Sequence, residues 1–303
     1  MAPAPDLVSA LADLGRSPGP AGATPANAPA AEPEVLYDRH DVLVVRVGDV
    51  VVKAHQPDRD TGPSLDRRLE VAAGLPGLLL PPLGPRRVVA GRVVTVWPYG
   101  EPVDPAGPLP WAQGGRLLAR LHQSPAPEGT PSWGRPARVA RLVSRLGEGP
   151  EVAEIRHAFA TLPSWIRGEA PEPEHPGRRL IHGDWHLGQM IREAGGGWRL
   201  IDVEDLGLGE PAWDLARPAA LFSAGVLPRA DWEELLGAYR EAGGPAAARH
   251  DIWEALEVPA RTLVIQIAAT CVKSAREGDR PLDGPELALV DACSRISRAG
   301  LPA

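Results

Sequence analysis

The sequence predicts an α+β fold in two parts, a small β-rich N-terminal lobe and a larger helical C-terminal lobe. Three observations predict it. Valine-rich runs bounded by short turns crowd residues 34–97. Beyond Pro98, apolar residues recur mostly at helical spacing. That second pattern is interrupted by one short strand-like patch over 179–203. With 303 residues, 44% hydrophobic and 23% charged, the chain can bury a substantial core.

The elements follow in order. Residues 6–14 fit a short helix, and 16–33, rich in Pro, Ala and Gly, read as a tether, so 1–33 is expected as a flexible extension. Glu34–Arg39, Val42–Val47 and Asp49–Ala54 read as strands, with Gly48-Asp49 as the hairpin turn between the last two. Ser64–Ala73 places Leu65, Leu69 and Ala72 on one helical side, with Ser64 as its N-cap. Arg86–Ala90 and Arg92–Trp97 read as two further strands, so 34–100 is expected as the N-lobe and 101–303 as the C-lobe. In the C-lobe, Trp111–His122, Arg138–Leu146 and Val152–Ile166 read as helices. Arg179–His182, Gln189–Arg192 and Trp198–Val203 form the strand-like patch. Trp213–Ala224, Arg229–Glu241, Asp251–Glu277 and Gly284–Ala299 complete the helices, and Gly300 and Pro302 fit a stop.

Bulk properties exclude several classes. A net charge of −7 argues against a nucleic-acid partner and suits a cationic small molecule. The N-terminus has no basic start and no long apolar run, so no secretory signal is expected. No run of about 18 apolar residues is evident, so no membrane partner is expected and the chain reads as cytoplasmic. Cys271 and Cys293 have neither metal-ligand spacing nor a disulfide framework and read as reduced thiols. Of 32 Lys and Arg residues, only Lys53 and Lys273 are lysines, so a lysine at the end of a valine-rich strand asks for a reason.

The chemistry concentrates in Leu180-Ile-His-Gly-Asp-Trp-His-Leu-Gly-Gln189 and Arg199-Leu-Ile-Asp-Val-Glu-Asp-Leu-Gly-Leu-Gly-Glu-Pro-Ala-Trp-Asp214. Its carboxylates stand beside glycine and directly after apolar runs. A strand can hold such a carboxylate rigidly while its oxygens stay free to hold Mg²⁺ on phosphates or orient an attacking hydroxyl. These segments resemble the catalytic loop and metal-binding segment of the aminoglycoside phosphotransferase-like small-molecule kinases. That family carries His-Gly-Asp, an Asn five positions after the Asp, and an Ile-Asp on a strand. The resemblance extends over residues 34–300 or so and is weakest in the final helices.

The resemblance implies a protein-kinase-like fold, ATP and Mg²⁺ as cofactors, and a small-molecule hydroxyl as acceptor. Asp184 matches the catalytic aspartate that accepts or orients the hydroxyl proton. Gln189 takes the place of the metal-binding Asn, and Asp202 matches the second metal ligand. Lys53 matches the lysine on the α/β-phosphates, and Glu70 its ion-pair partner. Val96–Glu101, including Trp97 and Tyr99, matches the linker that reads the adenine edge. Two departures stand out. Gln189 in His-Gly-Asp-Trp-His-Leu-Gly-Gln resembles the equivalent segment of maltokinases and glucosamine kinases, which are longer chains. The first hairpin, Asp38-Arg39-His40-Asp41, has no glycine.

Physical chemistry supports these roles. Phosphoryl transfer rests on positioning and charge neutralisation, and a lysine ammonium reaches phosphate oxygens as a point charge where a planar guanidinium does not. Hard oxygen donors suit Mg²⁺, and Gln offers the amide oxygen of Asn one methylene further out. An amino sugar or aminoglycoside is the first acceptor class, a neutral sugar such as maltose the second, and a choline- or homoserine-like alcohol the third. A nucleotide-binding pseudokinase is the alternative of another class, favoured by Gln189 and the glycine-free hairpin. Elsewhere, His182 and His186 read as structural, and Asp214 as a tie to the catalytic loop or a helix cap. Glu204 and Asp205 read equally as metal or substrate contacts and as solvated charges. Trp185 reads as core or as a flank of the acceptor. Asp231–Glu234 and Trp253-Glu254 read as solvated faces or acceptor contacts.

Overall fold

A computed structural model describes residues 5–17, 31–39, 41–57, 62–175, 177–248 and 251–299. The chain forms two units: 1–109 with 127–131 and 188–204, and 110–126 with 132–187 and 205–303.

The first unit is built on a five-stranded antiparallel sheet in the order β1-β2-β3-β5-β4. Its strands are β1 (Glu34–Arg39), β2 (Val42–Val47), β3 (Val50–Ala54), β4 (Arg87–Val89) and β5 (Arg92–Pro98). Alternation decides its faces. Leu43, Val45 and Val47 of β2, Val52 and Ala54 of β3, and Val94 and Val96 of β5 share one core. Helix α1 (Pro5–Arg16) adds Leu11 and Ala12 to that core, so part of the expected extension packs on the sheet. The rest of it, 1–4 and 18–30, lies outside the described residues, as does His40 of the first hairpin.

Helix α2 (Pro63–Gly74) buries Leu65, Leu69, Val71 and Ala72. It starts one residue before the expected N-cap, because Pro63 takes the first turn and Gly62 the cap. A second sheet, β6 (Glu101–Pro102), β8 (Met190–Arg192) and β9 (Trp198–Leu200), runs in the order β6-β8-β9. Leu200 exchanges backbone hydrogen bonds with Leu78 and Leu80, at 2.8 and 2.9 Å. These pairings carry 188–204 into the first unit, past the expected boundary at residue 100.

The second unit holds α3 (Trp111–Gln123), α4 (Arg135–Ser144), α5 (Pro150–Ala160), α6 (Ala212–Ser223), α7 (Arg229–Glu241), α8 (Trp253–Glu277) and α9 (Gly284–Ala299). It also holds the strand pair β7 (Arg179–Ile181) and β10 (Gly207–Gly209). The helix expected over Val152–Ile166 stops at Ala160, because Pro163 can neither donate a helical hydrogen bond nor let its predecessor stay helical. The strand expected over Trp198–Val203 stops at Leu200, because Asp202 turns into the left-handed region at φ 62°. Gln189 closes a 3₁₀ turn over Leu187–Gln189 instead of opening a strand.

Helices α3 and α7 pack closely because Gly115 has no side chain. A Cβ there would lie 2.3 Å from the Leu235 carbonyl oxygen. By length and composition alone, an 18-residue window of helix α8 qualifies as a membrane span. Its apolar residues are core residues: 56% of that window is buried, and Leu263, Val264, Ile265, Ala268 and Val272 pack in the helical core with residues of α4, α5, α6 and α9.

Candidate active site

In the sheet unit, Lys53 lies on β3 opposite Val44 of β2 and Thr95 of β5. Alternation turns its side chain away from the face of Val52 and Ala54. Its Nζ lies 2.8 Å from Asp202 Oδ1 and 2.6 Å from Glu204 Oε1. Burial opposes the ammonium charge, but the two carboxylates outweigh it and raise the Lys53 pKa above the ordinary lysine value. The Gln189 amide donates to Asp202 Oδ2 at 3.3 Å. Asp202 takes up its position through its left-handed backbone, which is uncommon outside glycine and strains the turn that aims its carboxylate. Glu204 is buried and also meets His55 Nδ1 at 2.7 Å. His55 Nε2 meets Thr95 Oγ1 at 2.9 Å, and the Trp97 indole donates to the same oxygen at 2.9 Å.

In the helical unit, β7 leads into His182-Gly183-Asp184. Asp214, buried at the start of α6, accepts from the backbone N–H of His182 and of Gly183, both at 2.7 Å. His122 of α3 meets the same carboxylate at 2.9 Å and Tyr239 of α7 at 2.8 Å. Burial opposes the Asp214 charge, but the His122 hydrogen bond and the loop contacts hold its pKa below the ordinary aspartate value. Gly183 has φ 84°, and its carbonyl accepts from Trp133 Nε1 at 3.1 Å and Arg135 Nε at 3.0 Å. Asp184 Oδ1 receives two guanidinium groups, Arg135 Nη2 at 2.5 Å and Arg217 Nη2 at 2.8 Å. Burial works against its ionisation, but the paired arginines overcome it and hold the carboxyl well below the usual carboxylate range. Arg138 binds Asp205 at 2.5 Å.

The sequence-predicted residues therefore separate into two groups. Lys53, Gln189 and Asp202 meet within the sheet unit, and Asp184 lies in the helical unit. Glu70 does not meet Lys53. Its exposed carboxylate pairs with Arg67 on its own helix at 2.5 Å, while Glu204 takes the place expected of it. Trp97 serves as a donor to Thr95. The Tyr99 ring lies under the Arg46 guanidinium, 3.4 Å from its centroid, and the Tyr99 N–H is committed to the Asp49 carbonyl.

Asp214 ties the loop, and Trp185 is a core residue, 1% exposed and edge-on to Trp111. Arg135, Arg217, His122, His55 and Thr95 were not singled out in the sequence. Only Arg217 carried a signal, standing three residues after Asp214 and so on the same helical side.

A model of the family described as "Phosphotransferase enzyme family" matches residues 42–256. A streptomycin 6-kinase from Streptomyces glaucescens is 34% identical over 104 residues, which span 33% of this chain and 31% of that protein. An amicoumacin kinase solved with AMP-PNP, Ca²⁺ and Ami superposes with a TM-score of 0.62 at 16% identity, covering 88% of each chain. A choline/ethanolamine kinase family protein from Mesorhizobium loti superposes with a TM-score of 0.57 at 19% identity, covering 96% of this chain and 94% of that one. These likenesses to solved structures establish a shared fold.

Proposed function

The chain belongs to the phosphotransferase enzyme family, and on that premise we propose that it transfers the γ-phosphoryl group of ATP to a hydroxyl of a small polar molecule. The observation that carries this reading is the meeting of Lys53, Asp202 and Gln189, drawn from separate segments of the chain. Lys53 steadies the phosphates as a point charge. Asp202 and Gln189 offer the hard oxygens that suit Mg²⁺. Among the described residues no cluster of three His, Cys, Asp or Glu side chains makes a metal cage. A carboxylate plus an amide oxygen fits an ion that takes its other ligands from phosphates and water. When bound, that ion would neutralise charge on the phosphates. The amicoumacin kinase, solved with AMP-PNP and Ca²⁺, supports a nucleotide and a divalent ion as cofactors here.

Asp184, kept ionised by Arg135 and Arg217, accepts a hydrogen bond from the acceptor hydroxyl and aims its oxygen. Two guanidinium groups fix the Asp184 carboxylate in place, and orientation is what phosphoryl transfer chiefly needs. An amino sugar or aminoglycoside is the acceptor class best supported, from the net charge of −7 and the stretch similar to a streptomycin 6-kinase. Gln189 favours a neutral sugar as the second reading. The test is ADP release with Mg-ATP across aminoglycosides, amino sugars, maltose and choline. Asp184→Asn should lower turnover of the best acceptor by at least about a thousandfold while nucleotide affinity holds. Turnover near the wild-type rate would remove Asp184 from the mechanism.

A further inference from the structure

We infer that Glu204, not the α2 residue Glu70, is the positioning residue that holds Lys53 for the nucleotide; this rests on the phosphotransfer function proposed above. The side chains of Glu204 and Lys53 are 8% and 15% exposed and meet at 2.6 Å. Glu70 is 62% exposed and engaged by Arg67. A buried ammonium needs a partner that stays with it when ligands arrive. Asp202, its other partner, is the carboxylate assigned to the cation, so its oxygens are shared with that ion.

Glu204 is held from the far side. The Trp97 indole can only donate, so the Thr95 hydroxyl accepts from it, and the same hydroxyl meets His55 Nε2 at 2.9 Å. A carboxylate paired with an ammonium only accepts, so His55 donates from Nδ1 to the same Glu204 oxygen that meets Lys53. Thr95 lies directly across the β3–β5 ladder from Lys53. The brace thus starts and ends on neighbouring positions of one sheet. An ammonium has three N–H donors. Among the described residues Asp202 and Glu204 engage two, and the third is left to meet a phosphate oxygen.

The chain's composition makes the test direct. Lys53 and Lys273 are its only lysines, so lysine labelled at Nζ gives two ammonium signals in an NMR spectrum, assigned with Lys273→Arg. Glu204→Gln should move the Lys53 signal and speed its exchange with solvent by about tenfold or more, while Glu70→Gln leaves both unchanged. Affinity for a fluorescent ADP analogue, measured with and without Mg²⁺, should fall about tenfold in Glu204→Gln and stay within about twofold of wild type in Glu70→Gln. The double variant Glu204→Gln/Lys53→Met should bind no more weakly than Lys53→Met alone, because a residue acting through another adds no separate loss. Circular dichroism and melting confirm that each variant folds. An unmoved Lys53 signal in Glu204→Gln, an equal shift in Glu70→Gln, or additive losses in the double variant overturns the assignment. A moved signal in a protein that neither binds nucleotide nor releases ADP overturns the phosphotransfer reading instead.

Discussion

Asp184 carries two guanidinium groups on a single carboxylate oxygen, and that arrangement fixes its acid–base behaviour. Desolvation raises its pKa, and Arg135 and Arg217 more than reverse the effect. A carboxyl whose folded pKa is depressed contributes stability above its unfolded pKa of about 3.9 and loses it as pH falls through the folded value. Arg217→Met removes one cation and keeps the apolar stem. It should move the acid limb of kcat/KM upward in pH, and Arg217→Lys should move it less. A pH–rate profile with the same acid limb in all three proteins would show that Arg217 does not act on Asp184. Legibility at this scale followed rarity. Lys53 was visible because lysine is nearly absent, whereas any one arginine is hidden among cations that are all arginine but for two. Glu70 stood at the expected position on α2, but the nearer cation, Arg67, shares its helix face and takes the carboxylate.

Among the elements, the catalytic loop shows how backbone and packing together aim a side chain. Strand β7 ends at Ile181, and both following N–H groups are taken by Asp214. Gly183 then turns through φ 84°, and the Asp205 carbonyl and the Trp133 ring occupy the space a side chain would need. A Cβ on residue 183 would lie 2.3 Å from that carbonyl oxygen and 2.6 Å from Trp133 Cδ1. Gly183→Ala should therefore cost about 2–4 kcal/mol, from left-handed strain together with overpacking. Denaturant unfolding checks it, and a loss below about 1 kcal/mol would mean that the loop relaxes without resistance.

The same elements mark what periodicity can reveal. The long helices and β1, β2, β3 and β5 were legible to within a few residues, since each repeats its apolar pattern over a turn or more. Strands β6 and β10 were not. Two residues, or Gly-Leu-Gly, carry no alternation, and only the partner strand makes them β.

At the scale of the whole molecule, sequence order hid which residues fold together. Gln189 follows Asp184 by five positions, yet β8 and β9 take Gln189 into the sheet unit while Asp184 stays in the helical one. Backbone pairing of Leu200 with Leu78 and Leu80 closes that connection over more than a hundred residues, a separation no local pattern encodes. One consequence is measurable in the intact protein. A ligand that binds only the folded state stabilises it by about 2.7 kcal/mol at a concentration 100 times its Kd. Mg-ATP should raise the melting temperature of the wild-type chain by a few degrees. Lys53→Met, which removes the ammonium beside Asp202 and Glu204, should abolish most of that rise. Asp184→Asn alters a residue of the other unit and should keep it while losing turnover. Loss of the thermal response in both variants would mean that nucleotide binding does not follow this division of the chain, and retention in Lys53→Met would take the lysine off the phosphates.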